Sequence, residues 1–334
     1  MADIVAVSGA TGFIGSAVVR RLLRDGRSVR ALVEPGAGAQ NLAELPESKV
    51  DRVTVDVCDY VGMARALDGC SAFYHLAAVY KVWTPDPTHL YRVNIEGTTS
   101  SLLAAKAARV PRVVYTSSIA AVGRREDGAP SDETVQFNLY ESANPYILSK
   151  YLSERVALRF AESGVPVVVV NPAFPFGPRD LAPTPTGRII LGILKGEMPG
   201  LPAGGFCAVD VEDVAAAHVA AETRGRVGER YLLGNHNITF REFVELVCRV
   251  AGKPVPKLPI PTWVGLGIAA GMELFSDLVT HEEPRATVKS AKFVFGPAYF
   301  DSTKARVELE MPCTPLAETI ENAVRFYREH GMAP

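Results

Sequence analysis

An α/β fold built on a doubly wound parallel sheet is predicted by three observations. Short apolar runs of strand length alternate with stretches of helix length, a glycine turn joins the first run to the first helix, and the notable polar motifs fall at the carboxyl ends of the runs. Ligands of such sheets sit beyond those carboxyl ends, so fold and site are predicted together.

The elements follow in order. Asp3 to Ser8 reads as a strand, Gly9-Ala10-Thr11-Gly12-Phe13-Ile14-Gly15 as a turn, and the residues from Ala17 to Leu23 as a helix. Glycines there let the backbone approach a pyrophosphate, and the helix N-terminus offers free N–H groups to the anion. Ser28 to Val33 is the second strand and ends in Glu34, 19 residues after Gly15. A carboxylate at that place accepts from ribose hydroxyls and repels a 2′-phosphate, which favours NAD over NADP. Arg52 to Asp56 is a strand leading to Val57, Tyr60 to Leu67 a helix, and Ser71 to Leu76 a strand running into Ala77-Ala78. A long helix from Leu90 to Ala108 precedes the strands Arg112 to Thr116, ending at Ser117-Ser118, and Val165 to Val170, ending at Asn171-Pro172. Strands separated by helices imply right-handed crossovers and a sheet buried on both faces.

Beyond Asn171 a proline-rich run (Pro172, Pro175, Pro178, Pro183, Pro185) marks irregular, rigid chain before a helix from Arg188 to Lys195. Phe206 to Asp210, a helix from Val211 to Glu222 and a strand from Glu229 to Leu233 follow, then a helix from Phe240 to Val250. The expected organisation is a Rossmann-type domain of residues 1–170 and 206–234, a substrate lobe of 171–205 and 235–312, and a C-terminal helix, 313–334, packed on the body.

Tyr146-Ile147-Leu148-Ser149-Lys150, with Tyr146 28 residues after Ser118, carries the chemistry. A free tyrosine titrates near ~10 and needs a nearby cation to act at neutral pH. Positions i and i+4 share a helix face, so Lys150 is placed to be that cation. Phenol, ammonium and hydroxyl together suit proton transfer at a secondary alcohol, the partner step of hydride exchange.

The G-x-x-G-x-x-G turn, the serine and the Y-x-x-x-K pair resemble the extended short-chain dehydrogenase/reductases of the NAD-dependent epimerase/dehydratase type, over essentially the whole chain. Within them, Tyr80 to Pro87, Asn171 to Asp180 and Pro183 to Ile190 resemble the hopanoid-associated sugar epimerase group, close to dihydroflavonol 4-reductase-like enzymes. The resemblance implies Tyr146 as proton donor or acceptor, Lys150 tuning it and holding the nicotinamide ribose, and Ser118 hydrogen-bonding the reacting oxygen. Ser118 is chosen over Ser117 because Gly123 follows it by five residues. It further implies Asp56 at the adenine amine with Val57 beside the ring, and a cofactor channel along Leu76, Ala77, Ala78, Ser117, Asn171 and Pro172. Asn94 would tie its helix to an active-site water. Tyr80 and Trp83, aromatics able to stack on a ring or apolar substrate, are expected at the substrate with Ala173 and Phe174, and dimerisation is expected, by family analogy, through the helices after Arg92 and Pro145.

Two departures bear on substrate. Dihydroflavonol 4-reductase-like enzymes usually place arginine at the position of Glu34, so their NADPH preference is not carried over. Many nucleotide-sugar epimerases grip a pyrophosphate with an Arg-Asp pair where this chain reads Gly205-Phe206-Cys207-Ala208-Val209-Asp210. Arg179, Arg188 and Arg285 are the remaining candidate cations, and a less charged, apolar or lipid-like substrate fits better.

With 334 residues, 48% hydrophobic and 22% charged, the chain can bury a large core. A net charge of −2 without a basic block gives no footprint for nucleic acid. The scattered cysteines Cys58, Cys70, Cys207, Cys248 and Cys313 read as reduced, mostly packed thiols with no metal site. The first strand begins at once, leaving no room for a cleavable signal, so a cytoplasmic location is expected. The apolar stretch Leu258 to Met272 has 15 residues and two prolines, short of the ~20 needed to span a bilayer. It is expected to line the cleft, with a membrane surface as the other place for it. Three functions stay open: a nicotinamide-dependent alcohol dehydrogenase or ketoreductase, a sugar epimerase or dehydratase that retains NAD, and a non-catalytic NAD-binding protein.

Overall fold

A computed structural model describes residues 3–198, 200–256, 258–276, 278, 288 and 296–334. The first half alternates as expected: β1 (Ile4–Ser8), α1 (Phe13–Arg24), β2 (Ser28–Val33), β3 (Val50–Thr54), α2 (Tyr60–Leu67), β4 (Ala72–His75), α3 (Thr88–Tyr91), α4 (Gly97–Ala107), β5 (Val113–Thr116), α5 (Pro145–Glu162) and β6 (Val167–Pro172). The second half runs β7 (Phe174–Phe176), α6 (Pro185–Lys195), β8 (Leu201–Pro202), β9 (Gly205–Asp210), α7 (Val211–Arg224), β10 (Arg230–Leu233), β11 (His236–Thr239), α8 (Phe240–Ala251), β12 (Pro259–Ile260), α9 (Thr262–Phe275), β13 (Pro297–Ala298), α10 (Thr303–Glu308) and α11 (Leu316–Glu329).

Seven strands form one parallel sheet in the order β10-β6-β5-β4-β1-β2-β3. Its central strands are apolar along their whole length because both faces are covered: Val167 to Val170 and Val113 to Tyr115 are all buried. One face packs with α1 and α7, the other with α2, α4 and α5. The order reverses between β1 and β4, and the carboxyl ends of these strands carry Ser8 and His75, next to the glycine turn.

Two expectations change. The long helix from Leu90 is interrupted, because Arg92–Glu96 forms a π-helical turn between α3 and α4. Residues 206–210 do not rejoin the large sheet: β9 pairs with β7, β11 and β13 in a second, four-stranded sheet. The chain returns to the Rossmann body only with α7, which lies against α1, and β10, which completes the sheet edge beside β6. The second sheet is closed over by α8, capped by the reciprocal Thr239–Glu242 box and stopped by Gly252 at φ 68°, and by α11. Phe206 joins Phe174, Phe176, Phe240 and Phe243 in its aromatic core, and Cys207 is buried there as a small apolar side chain.

Among the described residues no helix is long and apolar enough to cross a membrane. The Leu258 to Met272 stretch becomes β12 and α9, and Ala269 is the buried residue of α9, while Trp263, Ile268, Leu274 and Phe275 are exposed. A core helix would have hidden them.

Candidate active site

The reactive pair is carried by α5. Asn144 caps it, Oδ1 accepting from the Ile147 N–H at 2.9 Å, and Pro145 fills the first turn, where a missing N–H leaves no bond unmade. Tyr146 and Lys150 are thereby fixed one turn apart. The Lys150 ammonium donates to the Thr116 carbonyl at 2.8 Å and lies 5.3 Å from the centre of the Tyr115 ring. Burial pushes this amine down to about 8, and the carboxylate of Glu154 acts in the opposite direction.

Burial pushes the Tyr146 phenol up to about 12, and a hydrogen bond with the Ser118 side chain pulls it down. The sequence pointed to Lys150 as the cation acting on Tyr146. In the structure the ammonium is engaged by the Thr116 carbonyl of β5. Ser118 Oγ accepts from the Ala120 N–H at 3.1 Å. Gly123 holds that loop in place, because a Cβ there would fall on the Gln136 carbonyl.

Above the phenol the Tyr80 ring lies 4.5 Å from the Tyr146 ring, centre to centre. Trp83 is half-buried in the same loop. Ala173 is buried and Phe174 half-buried at the start of the second sheet, with the Phe174 ring 5.0 Å from Phe206. Asn94, in the π-turn, is held by protein: Oδ1 accepts from Val79 N–H at 2.8 Å, and Nδ2 donates to Val79 O and to Ser149 Oγ at 2.9 Å. Ser149 in turn donates to the Tyr146 carbonyl at 2.8 Å.

The cofactor side is equally built. Gly9 has φ +67°, and a Cβ on it would lie 2.8 Å from Ala77 N. A Cβ on Gly15 would fall inside the Gly9 carbonyl oxygen. The turn is therefore drawn in against Leu76 and Ala77, with Thr11, Gly12, Phe13 and Ile14 leading into α1. Ser8 Oγ accepts from the Leu76 and Ala77 N–H groups, so its one proton goes to His75 Nδ1 at 2.8 Å. By elimination His75 Nε2 donates to Thr98 Oγ1, which donates to the Asn94 carbonyl. Burial, aided by Lys150, lowers this imidazole to about 3, so it stays neutral. Glu34 is exposed just past β2, at the Pro35-Gly36 turn. Asp56 accepts from Cys58 N–H at 2.9 Å and from Arg92 at 2.8 Å, with Val57 half-buried beside it.

Of the seven buried side-chain polar atoms that lack a hydrogen-bond partner among the described residues, two are Ser117 Oγ and Asn171 Oδ1. Both stand at the ends of β5 and β6, where the sequence expected cofactor, and such atoms are rarely left unmet. Together with the glycine cradle they fit a dinucleotide. Of the candidate cations, Arg179 pairs with Glu44 at 3.3 Å, Arg188 donates to the Pro183 carbonyl at 3.1 Å, and Arg285 lies outside the described residues. Among the described residues no cluster could hold a metal, and all five cysteines are unpaired.

Comparison with known proteins bears on this constellation. Residues 5–234 match the family described as the NAD dependent epimerase/dehydratase family. A Synechocystis protein provisionally named dihydroflavonol 4-reductase is 38% identical over 99% of this chain and 96% of its own. Sterol demethylase protein B of Methylococcus capsulatus is 34% identical over 98% of each chain. The crystal structure of a nucleoside-diphosphate-sugar epimerase from Pseudomonas aeruginosa superposes with a TM-score of 0.82 at 27% identity, covering 99% of both chains.

Proposed function

The chain belongs to the NAD-dependent epimerase/dehydratase family of extended short-chain dehydrogenase/reductases, and from that membership we propose that it interconverts a secondary alcohol and a ketone, with Tyr146 moving the proton. The observation that carries this reading is the placing of Tyr146 and Lys150 one turn apart on α5, with the ammonium held by the Thr116 carbonyl at 2.8 Å and the unpartnered Ser117 and Asn171 atoms at the ends of β5 and β6. A bound nicotinamide supplies the hydride chemistry. Ser118 orients the reacting oxygen against the phenol. Tyr146, protonated at neutral pH, gives its proton to a carbonyl in reduction, and its phenolate, the minor form at neutral pH, takes one from a hydroxyl in oxidation. Lys150 offers its ammonium to the nicotinamide ribose.

We further infer a weakly charged, apolar or lipid-like substrate. Supporting this are the fully buried, arginine-free β9, the Tyr80 ring over the phenol, and the exposed apolar side of α9. The sterol-linked name of one relative agrees with it. A second reading, a sugar epimerase or dehydratase that keeps its NAD, is favoured by the P. aeruginosa neighbour.

Cofactor release separates them. The freshly purified protein is denatured, the NAD and NADP set free are quantified, and exchange of labelled cofactor into the native protein is followed. Little bound cofactor with fast exchange is the expected result. Stoichiometric NAD that exchanges slowly would shift the assignment to the epimerase or dehydratase. Binding titrations with NAD and NADP test Glu34: Glu34→Arg should move the ratio of NAD to NADP affinities by about tenfold or more toward NADP, a change of ~1.4 kcal/mol. An unchanged ratio would remove Glu34 from ribose recognition.

A further inference from the structure

Glu154 is one of the most deeply buried charged side chains among the described residues, 1% exposed, and it lies one helical turn beyond Lys150 on α5. Its carboxylate is held from two sides. Oε1 accepts from Arg230 Nη1 at 3.0 Å, and Oε2 accepts from Asn171 Nδ2. The same Asn171 nitrogen donates to the Ser118 carbonyl at 2.9 Å. Arg230 is anchored in its turn, donating to the Glu133 and Val135 carbonyls. One carboxylate thus joins β10, β6 and α5 at the floor of the site. A polar cavity of about 470 Å³, lined by Glu133, Tyr151, Glu154, Arg230 and Lys304 among others, opens on its far side.

We propose that Glu154 is a positioning residue for the reaction: clamped between Arg230 and Asn171, its carboxylate keeps a negative charge beneath the Lys150 ammonium and turns the Asn171 amide so that its oxygen faces an incoming donor. With two acceptors, Glu154 and the Ser118 carbonyl, on the nitrogen side, the orientation of the Asn171 amide is fixed. This leaves Oδ1, buried and without a partner among the described residues, as the free acceptor. The charge matters because Lys150 is desolvated. Around its ammonium stand the Thr116 carbonyl and the Tyr115 ring from β5, neutral His75 from β4, and the carboxylate of Glu154 from its own helix. Among these Glu154 is the counter-charge. A buried amine deprived of it loses its proton at lower pH.

The proposal rests on the reading of Lys150 as a cofactor-binding cation, and its test needs no substrate. NADH affinity is measured by fluorescence titration from pH 6 to 10 for the wild type, Glu154→Gln and the double variant Glu154→Leu/Arg230→Met. Replacing a buried ion pair by apolar side chains is often neutral for folding, so the double variant remains informative if Glu154→Gln does not fold. The wild type should bind evenly up to about 8, where Lys150 titrates, and weaken above it. Both variants should weaken from about one pH unit lower. A folded variant that keeps the wild-type profile overturns the proposal, as does a wild type with no weakening across the range. Absence of NADH binding at any pH would instead overturn the cofactor reading, and the proposal with it.

Discussion

Tyr146→Phe should lower turnover about 10²- to 10⁴-fold, the usual worth of a positioned proton donor, while leaving NAD affinity within about twofold of the wild type. The substitution removes one oxygen and keeps the ring that packs against Tyr80, so site shape survives and the loss is chemical. Direction of reaction sharpens the expectation. Burial holds the phenol protonated well above neutrality, up to about 12. Reduction uses the protonated form and should be flat through the neutral range. Oxidation needs the phenolate and should climb steadily with pH. Both behaviours should vanish in the phenylalanine variant, measured on whichever ketone or alcohol of a panel the wild type turns over. More than about a tenth of wild-type turnover in Tyr146→Phe would show that another group moves the proton.

Much of this arrangement was legible because its signals are local. The strand Ser28–Val33 and the helix Tyr60–Leu67 have the bounds read from sequence, since apolar patterning and flanking turn residues define them without help from the rest of the chain. The glycine turn, Ser118 and the Tyr146–Lys150 spacing were legible for the same reason. What was missed is decided by contacts between distant residues. Phe206 to Asp210 looks like any buried strand, and only its pairing with β7, β11 and β13 shows which sheet it serves. Glu154 and Arg230 meet across 76 residues of sequence, and neither carries a mark of burial in its neighbours. The π-turn at Arg92–Glu96 inserts into a stretch whose composition suits an ordinary helix. Spacing gives Tyr146 and Lys150 a shared face, but not the acceptor, the Thr116 carbonyl, that engages the ammonium.

Gly15→Ala should cost NAD affinity about 100-fold, ~2.7 kcal/mol, and stability about 1–3 kcal/mol besides. The new methyl group would fall on the Gly9 carbonyl oxygen and crowd the Gly9 carbon and Ala10 Cα, all of them main chain. No side chain can swing aside to admit it. Either α1 moves away from β1 or the turn opens, and both withdraw the helix N-terminus from the pyrophosphate position. Gly192→Ala is the matched control. Gly192 lies within α6, has nothing within 4 Å of a new Cβ and is not at positive φ. There alanine should stabilise by about 0.5–1 kcal/mol, through the lower backbone entropy of its unfolded state and its better helix propensity, with NAD affinity unchanged. Thermal unfolding and equilibrium dialysis of the two variants read both quantities. If Gly15→Ala binds NAD as the wild type does, the close approach of turn and strand is not what holds the cofactor. The first glycine, Gly9, with its positive φ and its contact with Ala77, would then be the position to test.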